Sequence, residues 1–264
     1  MRYIFLFCHY FLFRRISLEI INLGNRHDAS FYAACELFNQ ITRNPESKLG
    51  LATGGTMVDV YANFVNLLKM NDVDVSNVET FNLDEYDGLP QTHPESYHQY
   101  MQEVLFEQYP YFTASNIHIP TGDAADLNDE AKRYEAVVHE RGPVDIQILG
   151  IGENGHIGFN EPGTSKESET RVVDLTESTI RANSRYFDTE DEVPKQAVSM
   201  GLSTIMSAKR IILLAFGEKK KAAITKLASG IEDADVPATI LYEHPNVEVY
   251  VDEAAAPDDM GRKE

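Results

Sequence analysis

The densest chemistry in this sequence is a histidine set among glycines and polar side chains, in the run Asn154-Gly155-His156-Ile157-Gly158-Phe159-Asn160-Glu161. Imidazole is the side chain suited to moving protons near neutral pH, and a neighbouring carboxylate or amide such as Glu161 or Asn154 can fix its tautomer. A lone histidine is more often structural. One that follows the apolar run Ile146-Gln147-Ile148-Leu149-Gly150-Ile151 points instead to a catalytic turn at the mouth of a buried strand.

Two carboxylates, Asp84 and Glu85, close a second apolar stretch, Phe81-Asn82-Leu83. A carboxylate partly desolvated there by Phe81 and Tyr86 can have a raised pKa and serve as a general base. The same position also suits a residue that caps the next turn, and the sequence leaves both readings open. A third stretch, Leu49-Gly50-Leu51-Ala52-Thr53-Gly54-Gly55-Thr56, combines a strand, a glycine turn flanked by hydroxyls and a helix start. Unpaired amides and the helix dipole favour an anion such as phosphate at Thr53, Gly54, Gly55 and Thr56. A tight turn with a capping Thr is the equal alternative. The stretch has neither the Gly-Lys-Thr of a P-loop nor Gly-x-Gly-x-x-Gly, so it gives no support for a nucleotide cofactor.

Cations are scarce, which makes Arg171, Arg181 and Lys220 stand out. If they converge on the glycine turn they complete a phosphate site, since Arg binds phosphate through paired hydrogen bonds and Lys acts as a point charge. Ordinary solvated charge is the competing reading, and the preferred one for Lys219 and Lys221. His93 and His98 lack a metal-ligand spacing on one helical face, so no metal is expected.

Strands alternating with helices must carry these residues. Strands are expected over 19–24, 48–52, 77–83, 117–119, 144–150, 210–216 and 247–251. Helices are expected over 28–41 with Asp28 as cap, 57–70, 94–109, 127–140 and from Glu218 onward. This alternation implies a mostly parallel sheet covered on both faces, with ligands at the strands' carboxyl ends. Residues 177–185, with Arg171 upstream, form the most charged and least periodic internal segment and read as a lid.

At 264 residues the chain is long enough for one large α/β domain, and no linker composition divides it. With 42 acidic against 23 basic residues the formal charge is −19, which repels nucleic acid and gives no footprint for an anionic membrane. Cys8 and Cys35 show no metal or redox spacing, and a reducing cytoplasm is the expected location. The apolar run 3–13 falls short of the ~20 residues of a membrane helix. It ends in Arg14-Arg15 rather than in the small residues of a cleavage site. Residues 1–18 are therefore expected to be a non-native or disordered extension, 19–256 the α/β domain and 257–264 an acidic disordered tail.

Taken together, the glycine turn at 49–56, Asn82-Leu83-Asp84-Glu85-Tyr86, His93-Pro94-Glu95-Ser96-Tyr97, the run 152–162, Arg181-Ala182-Asn183-Ser184-Arg185-Tyr186-Phe187 and the segment 217–220 resemble the glucosamine-6-phosphate deaminase family. The resemblance covers about 19–256. It implies a Rossmann-like, doubly wound three-layer α/β domain with a helical lid. It also implies hydrolytic deamination of glucosamine 6-phosphate to fructose 6-phosphate and ammonia, without an organic cofactor or metal. On that resemblance Asp84 moves the proton between C2 and C1 of the open-chain sugar. His156 opens the pyranose ring, oriented by Glu161 and Asn154. Thr53, Gly54, Gly55, Thr56, Arg181 and Lys220 hold the phosphate. Some members carry Asp where this chain has Asn154, and Asn supplies no charge to the imidazole. Allosteric members are hexamers that use Arg and Lys two residues apart in the lid. Here Arg171 is followed by Val173, so a monomer with little or no allosteric activation is expected. The competing functions are a 6-phosphogluconolactonase, whose family typically has Asp-Glu-Arg in place of Asp84-Glu85-Tyr86, and a non-catalytic sugar-phosphate sensor.

Overall fold

The computed structural model describes residues 18–258, apart from 185, 186, 188, 190 and 191. Seven parallel strands form the central sheet: β1 (Leu18–Asn22), β2 (Lys48–Leu51), β3 (Glu79–Asn82), β5 (Ile117–His118), β6 (Ile146–Gly150), β9 (Ile211–Ala215) and β10 (Val247–Val251). Their spatial order is β1-β10-β9-β6-β2-β3-β5. β9 is buried along its whole length and β6 almost so, as expected of apolar strands covered on both faces. The chain winds outward from the middle in both directions, from β2 to β3 and β5 and from β6 to β9 and β10. The boundary between β2 and β6, paired at Leu49 with Ile146 and Gly50 with Gln147, is therefore the switch point at which such sheets bind ligands.

Helices α1 (Arg26–Arg43) and α2 (Met57–Asn71) pack on each other, and α1 lies over β9 and β10. The N-cap of α1 is Asn25, not Asp28. The Asn25 side chain accepts the Asp28 amide, so Asp28 falls in the first turn, where its charge complements the helix dipole. The helix expected over 94–109 also differs. Ser96 caps a short α3 (Tyr97–Met101) that passes into a π-helical turn at Gln102–Phe106. Pro94 lies outside it because a hydroxyl that accepts the Gln99 amide makes the stronger start. α4 (Leu127–Arg141) is capped by Asp126, and α7 (Lys221–Ala228) follows a 3-10 turn at Glu218–Lys220.

A second sheet has no counterpart in the sequence-based expectations. β4 (Asp84–Tyr86), β8 (Gln196–Ser199) and β7 (Arg171–Asp174) pair antiparallel in the order β4-β8-β7, with Asp84 opposite Ser199. Between β7 and β8 lies α5 (Glu177–Asn183), and α6 (Leu202–Met206) follows β8. A small apolar cluster of Tyr86, Leu89, Phe159, Leu175 and Ala197 forms here, apart from the main core.

Leu18, expected in the extension, is the first residue of β1, while 1–17 lie outside the described residues. At the other end Pro257 is buried and Asp258 pairs with Lys221 at 2.5 Å, so packing continues past 256; 259–264 also lie outside. Among the described residues no helix is long and apolar enough to cross a membrane.

Candidate active site

Four neighbouring strands, in the order β9-β6-β2-β3, release their loops on the same side of the sheet. β2 delivers Thr53, Gly54, Gly55 and Thr56; β3 delivers Asp84; β6 delivers Asn154 and His156; β9 delivers Lys219 and Lys220. All of these line one cleft of about 700 Å³, with Arg181 and Thr179 of α5 and Tyr97 of α3. A smaller cleft of about 490 Å³ lies at the strands' opposite ends, lined by Lys48, Glu79, Asp145 and Lys209. Both of its lysines are already engaged, Lys209 with Asp145 at 2.7 Å and Lys48 with the Arg141 carbonyl, so the switch-point cleft is the better ligand site.

Three carbonyl oxygens along the β2 turn are already occupied: Tyr61 donates to Ala52 O at 2.5 Å, Tyr100 to Gly54 O at 2.9 Å and Arg26 to Gly55 O at 2.5 Å. Gly54 has φ of +100°, a conformation that side-chain-bearing residues avoid. Thr56 stands at the N-cap of α2, yet its side chain makes no capping bond, contrary to the reading of a tight turn with a capping Thr. Lys220 is partly desolvated, and burial lowers its ammonium below the usual lysine range. Lys219 remains well exposed and pairs with Glu153 at 3.1 Å, at the cleft rim.

Asp84 is only 6% exposed. It begins β4 rather than capping a turn. Burial raises its carboxyl to about 8, with the neighbouring Glu85 charge adding in the same direction. Gly158 brings the other half of the cleft against it, since a Cβ at that position would stand 3.6 Å from Asp84 Oδ2.

His156 enters from the opposite wall. Gly152 makes room for it: a Cβ on Gly152 would meet the ring at 2.3 Å. His156 Nδ1 lies 3.5 Å from Glu161 Oε1, too long for a good hydrogen bond but within ion-pair reach, and it has no hydrogen-bond partner among the described residues. Glu161 stands behind the histidine, outside the cleft lining. It accepts from Thr179 Oγ1 at 2.7 Å and from Asn154 Nδ2 at 2.7 Å. Burial alone would raise its carboxyl, but His156, Thr179 and Asn154 bring it down to about 2. Asn154 does not bond the imidazole. Its short amide reaches the His156 backbone N–H at 3.2 Å and Glu161, so it braces the carboxylate and the turn instead of the ring.

Arg171 is not part of the cleft. Its guanidinium donates to Asn160 Oδ1 at 3.0 Å, because β7 turns it toward the 160–164 loop. Tyr97 and Thr179 also line the cleft, although nothing in their spacing singles them out as site residues. Tyr97 belongs to the quoted His93–Tyr97 motif, and Thr179 lies three residues past Thr176, whose side chain caps α5. Among the described residues one metal-ligating group occurs, Glu135, His139 and Glu169, outside the cleft lining. Glu135 is already occupied by Thr170 and Thr204.

Comparison with known proteins matches residues 27–251 to the family model described as glucosamine-6-phosphate isomerases/6-phosphogluconolactonase. A glucosamine-6-phosphate deaminase of Staphylococcus saprophyticus is 68% identical over 240 residues, covering 91% of this chain and 99% of that protein. One of Staphylococcus aureus is 61% identical over 245 residues, covering 93% and 97%. A solved monomeric glucosamine-6-phosphate deaminase superposes with a TM-score of 0.88 at 44% identity, covering 90% of this chain and 98% of that one. A 6-phosphogluconolactonase from Trypanosoma cruzi has a TM-score of 0.74 at 19% identity over 94% of this chain and 98% of that one, a likeness of fold alone. This chain belongs to the glucosamine-6-phosphate isomerase/6-phosphogluconolactonase family.

Proposed function

We propose that this chain converts D-glucosamine 6-phosphate and water to D-fructose 6-phosphate and ammonia, by aldose–ketose isomerisation coupled to hydrolytic deamination. The observation that carries the reading is the convergence, in one cleft, of the 53–56 glycine turn with Arg181 and Lys220, a buried carboxyl raised to about 8, and a histidine backed by a carboxylate. The phosphate docks on Thr53, Gly54, Gly55 and Thr56, with Arg181 and Lys220 closing over it. That anchor sets the sugar's first two carbons near Asp84.

His156 gives a proton to the ring oxygen as the C1 hydroxyl loses its own, and the pyranose opens to the C1 aldehyde. Glu161 balances the imidazolium charge, and Asn154 and Thr179 hold Glu161 in place. Asp84 then takes the C2 proton while the aldehyde oxygen gains one, which gives an enolamine, and returns a proton to C1 as the nitrogen forms an iminium at C2. Water adds at C2, and the C–N bond breaks to release ammonia. A carboxyl near neutrality suits both halves of that transfer, because it must accept and give the same proton within one cycle.

The relatives named as deaminases match nearly end to end at high identity, whereas the lactonase likeness rests on fold. Tyr86, which stands where lactonases typically carry Arg, packs its ring against Tyr97 and Phe159 at 4.8 and 5.7 Å and so presents no cation. A monomer working in the cytoplasm completes the proposal. The monomeric solved relative supports the first part.

The test is ammonia release from glucosamine 6-phosphate, measured alongside Asp84→Asn. The variant is expected to lose turnover by about 10²–10⁴-fold, the usual contribution of a positioned acid–base group, while still binding a sugar-phosphate ligand. Near-normal kcat in that variant would remove Asp84 from the chemistry.

A further inference from the structure

Beside Asp84 the chain buries a second carboxylate that the reaction does not consume. Glu85 is fully buried and lies outside the cleft lining. Both of its oxygens are used as acceptors. Oε1 takes the amides of Tyr86 at 2.8 Å and Tyr97 at 3.0 Å, and Oε2 takes the amide of His98 at 3.0 Å and lies 2.9 Å from the His98 ring nitrogen Nδ1. Three main-chain amides thus converge on those two oxygens, with the His98 ring as a fourth contact. The Glu85 charge sits one residue from Asp84 in low-dielectric surroundings, and adjacent buried carboxylates resist ionising together. His98 is the one side chain in the set, and in the tautomer with its proton on Nδ1 it donates to Glu85, so it is the means by which substitution can change how strongly that charge is compensated.

We propose that Glu85 is a positioning residue for proton transfer at Asp84: its hydrogen-bonded carboxylate sets the pH at which Asp84 gives up its proton, and His98 sets how strongly that charge is felt. The inference rests on the reading of Asp84 as the proton carrier. The other titratable groups facing Asp84 are Tyr97 from α3, Tyr134 from α4 and, across the cleft, His156, Arg181, Lys219 and Lys220. Burial holds both phenols well above the usual tyrosine range, so they stay neutral throughout the working pH span. The cleft cations and His156 are unchanged in every variant below and cancel from the comparison.

The experiment is the pH profile of kcat/KM on glucosamine 6-phosphate for the intact chain, Glu85→Gln, His98→Leu and His98→Asn. Removing the charge in Glu85→Gln is expected to move the acid limb, where Asp84 becomes protonated, to lower pH by about one unit, the tenfold shift expected of one close charge. His98→Leu removes a donor, leaves the Glu85 charge less compensated and moves the limb to higher pH. His98→Asn, whose amide can still donate, leaves the limb where it is. A merely structural role lowers activity at every pH without moving the limb. A limb fixed in both Glu85→Gln and His98→Leu, or moved the same way by both, overturns the inference. Should Glu85→Gln not fold, the contrast between His98→Leu and His98→Asn decides alone, and equal limbs there refute it. Asp84→Asn run in parallel separates the two failures. An inactive Asp84→Asn with fixed limbs refutes only the tuning, whereas an active one refutes the proton carrier itself.

Discussion

Asp84 and Glu161 are both carboxylates in the same neighbourhood, and their surroundings push them in opposite directions. Asp84 has burial and a like charge beside it, and its carboxyl rises from the ordinary 3.8 to about 8. Glu161 has donors on both oxygens and falls from 4.5 to about 2. The consequences for stability follow from proton linkage. The folded chain holds the Asp84 proton more tightly than the unfolded chain does, so that contribution is full below 3.8 and is lost as pH rises through about 8. The Glu161 contribution runs the other way, full above 4.5 and lost as pH falls toward about 2. Asp84→Asn removes the first term. It is expected to raise Tm relative to the native chain near pH 9, by about 2–4 °C for each kcal/mol recovered, and by much less near pH 5. Thermal melts at the two pH values check this, and an equal difference at both would mean the carboxyl is not held protonated. The residue types were legible in the sequence because Asp84, His156 and the glycine turn each end an apolar run. The part played by Asn154 was not. Its spacing from Glu161 allows several hydrogen bonds, and only the folded turn selects the carboxylate over the ring.

At the scale of elements, the site depends on two strands from different sheets meeting at Asp84 and on a close approach at Gly152. The parallel strands were readable because each is a short apolar run, and the switch point then followed from their order. The small antiparallel sheet was not readable. β4 is only three residues long, and its partner β8 lies more than a hundred positions away, so neither alternation nor a turn signal announces the pair. The same limit explains Arg171, whose sequence neighbourhood pointed to a lid while its strand aims it at Asn160. Gly152→Ala tests the close approach. Its methyl would fall within 2.3 Å of the His156 ring, and the ring must move. Since a misplacement of about 1 Å costs on the order of 10²-fold in rate, kcat is expected to fall by that order while far-UV circular dichroism stays native. Unchanged kcat would mean that the placement of His156 is not set by this contact.

For the whole molecule, the question is how a chain of formal charge −19 handles an anionic substrate. Arg181 and Lys220 line the cleft together with the 53–56 turn, and on the proposed function they are the cations that meet the phosphate. Arg171, the one arginine with an allosteric counterpart in the family resemblance, is committed to Asn160 and lacks a lysine two positions on. The rate is therefore expected to depend hyperbolically on glucosamine 6-phosphate, and N-acetylglucosamine 6-phosphate should leave the curve's shape unchanged. The chain should sediment as a monomer. A sigmoidal curve made hyperbolic by that ligand, or a hexamer in solution, would contradict this.

The most direct measurement of the central claim is a head-to-head assay of the purified chain on two substrates, with ammonia release from glucosamine 6-phosphate in one and hydrolysis of 6-phosphogluconolactone in the other. The account predicts stoichiometric ammonia and fructose 6-phosphate in the first, with no turnover in the second. Lactone hydrolysis without ammonia release, or binding of both sugars with turnover of neither, would contradict it.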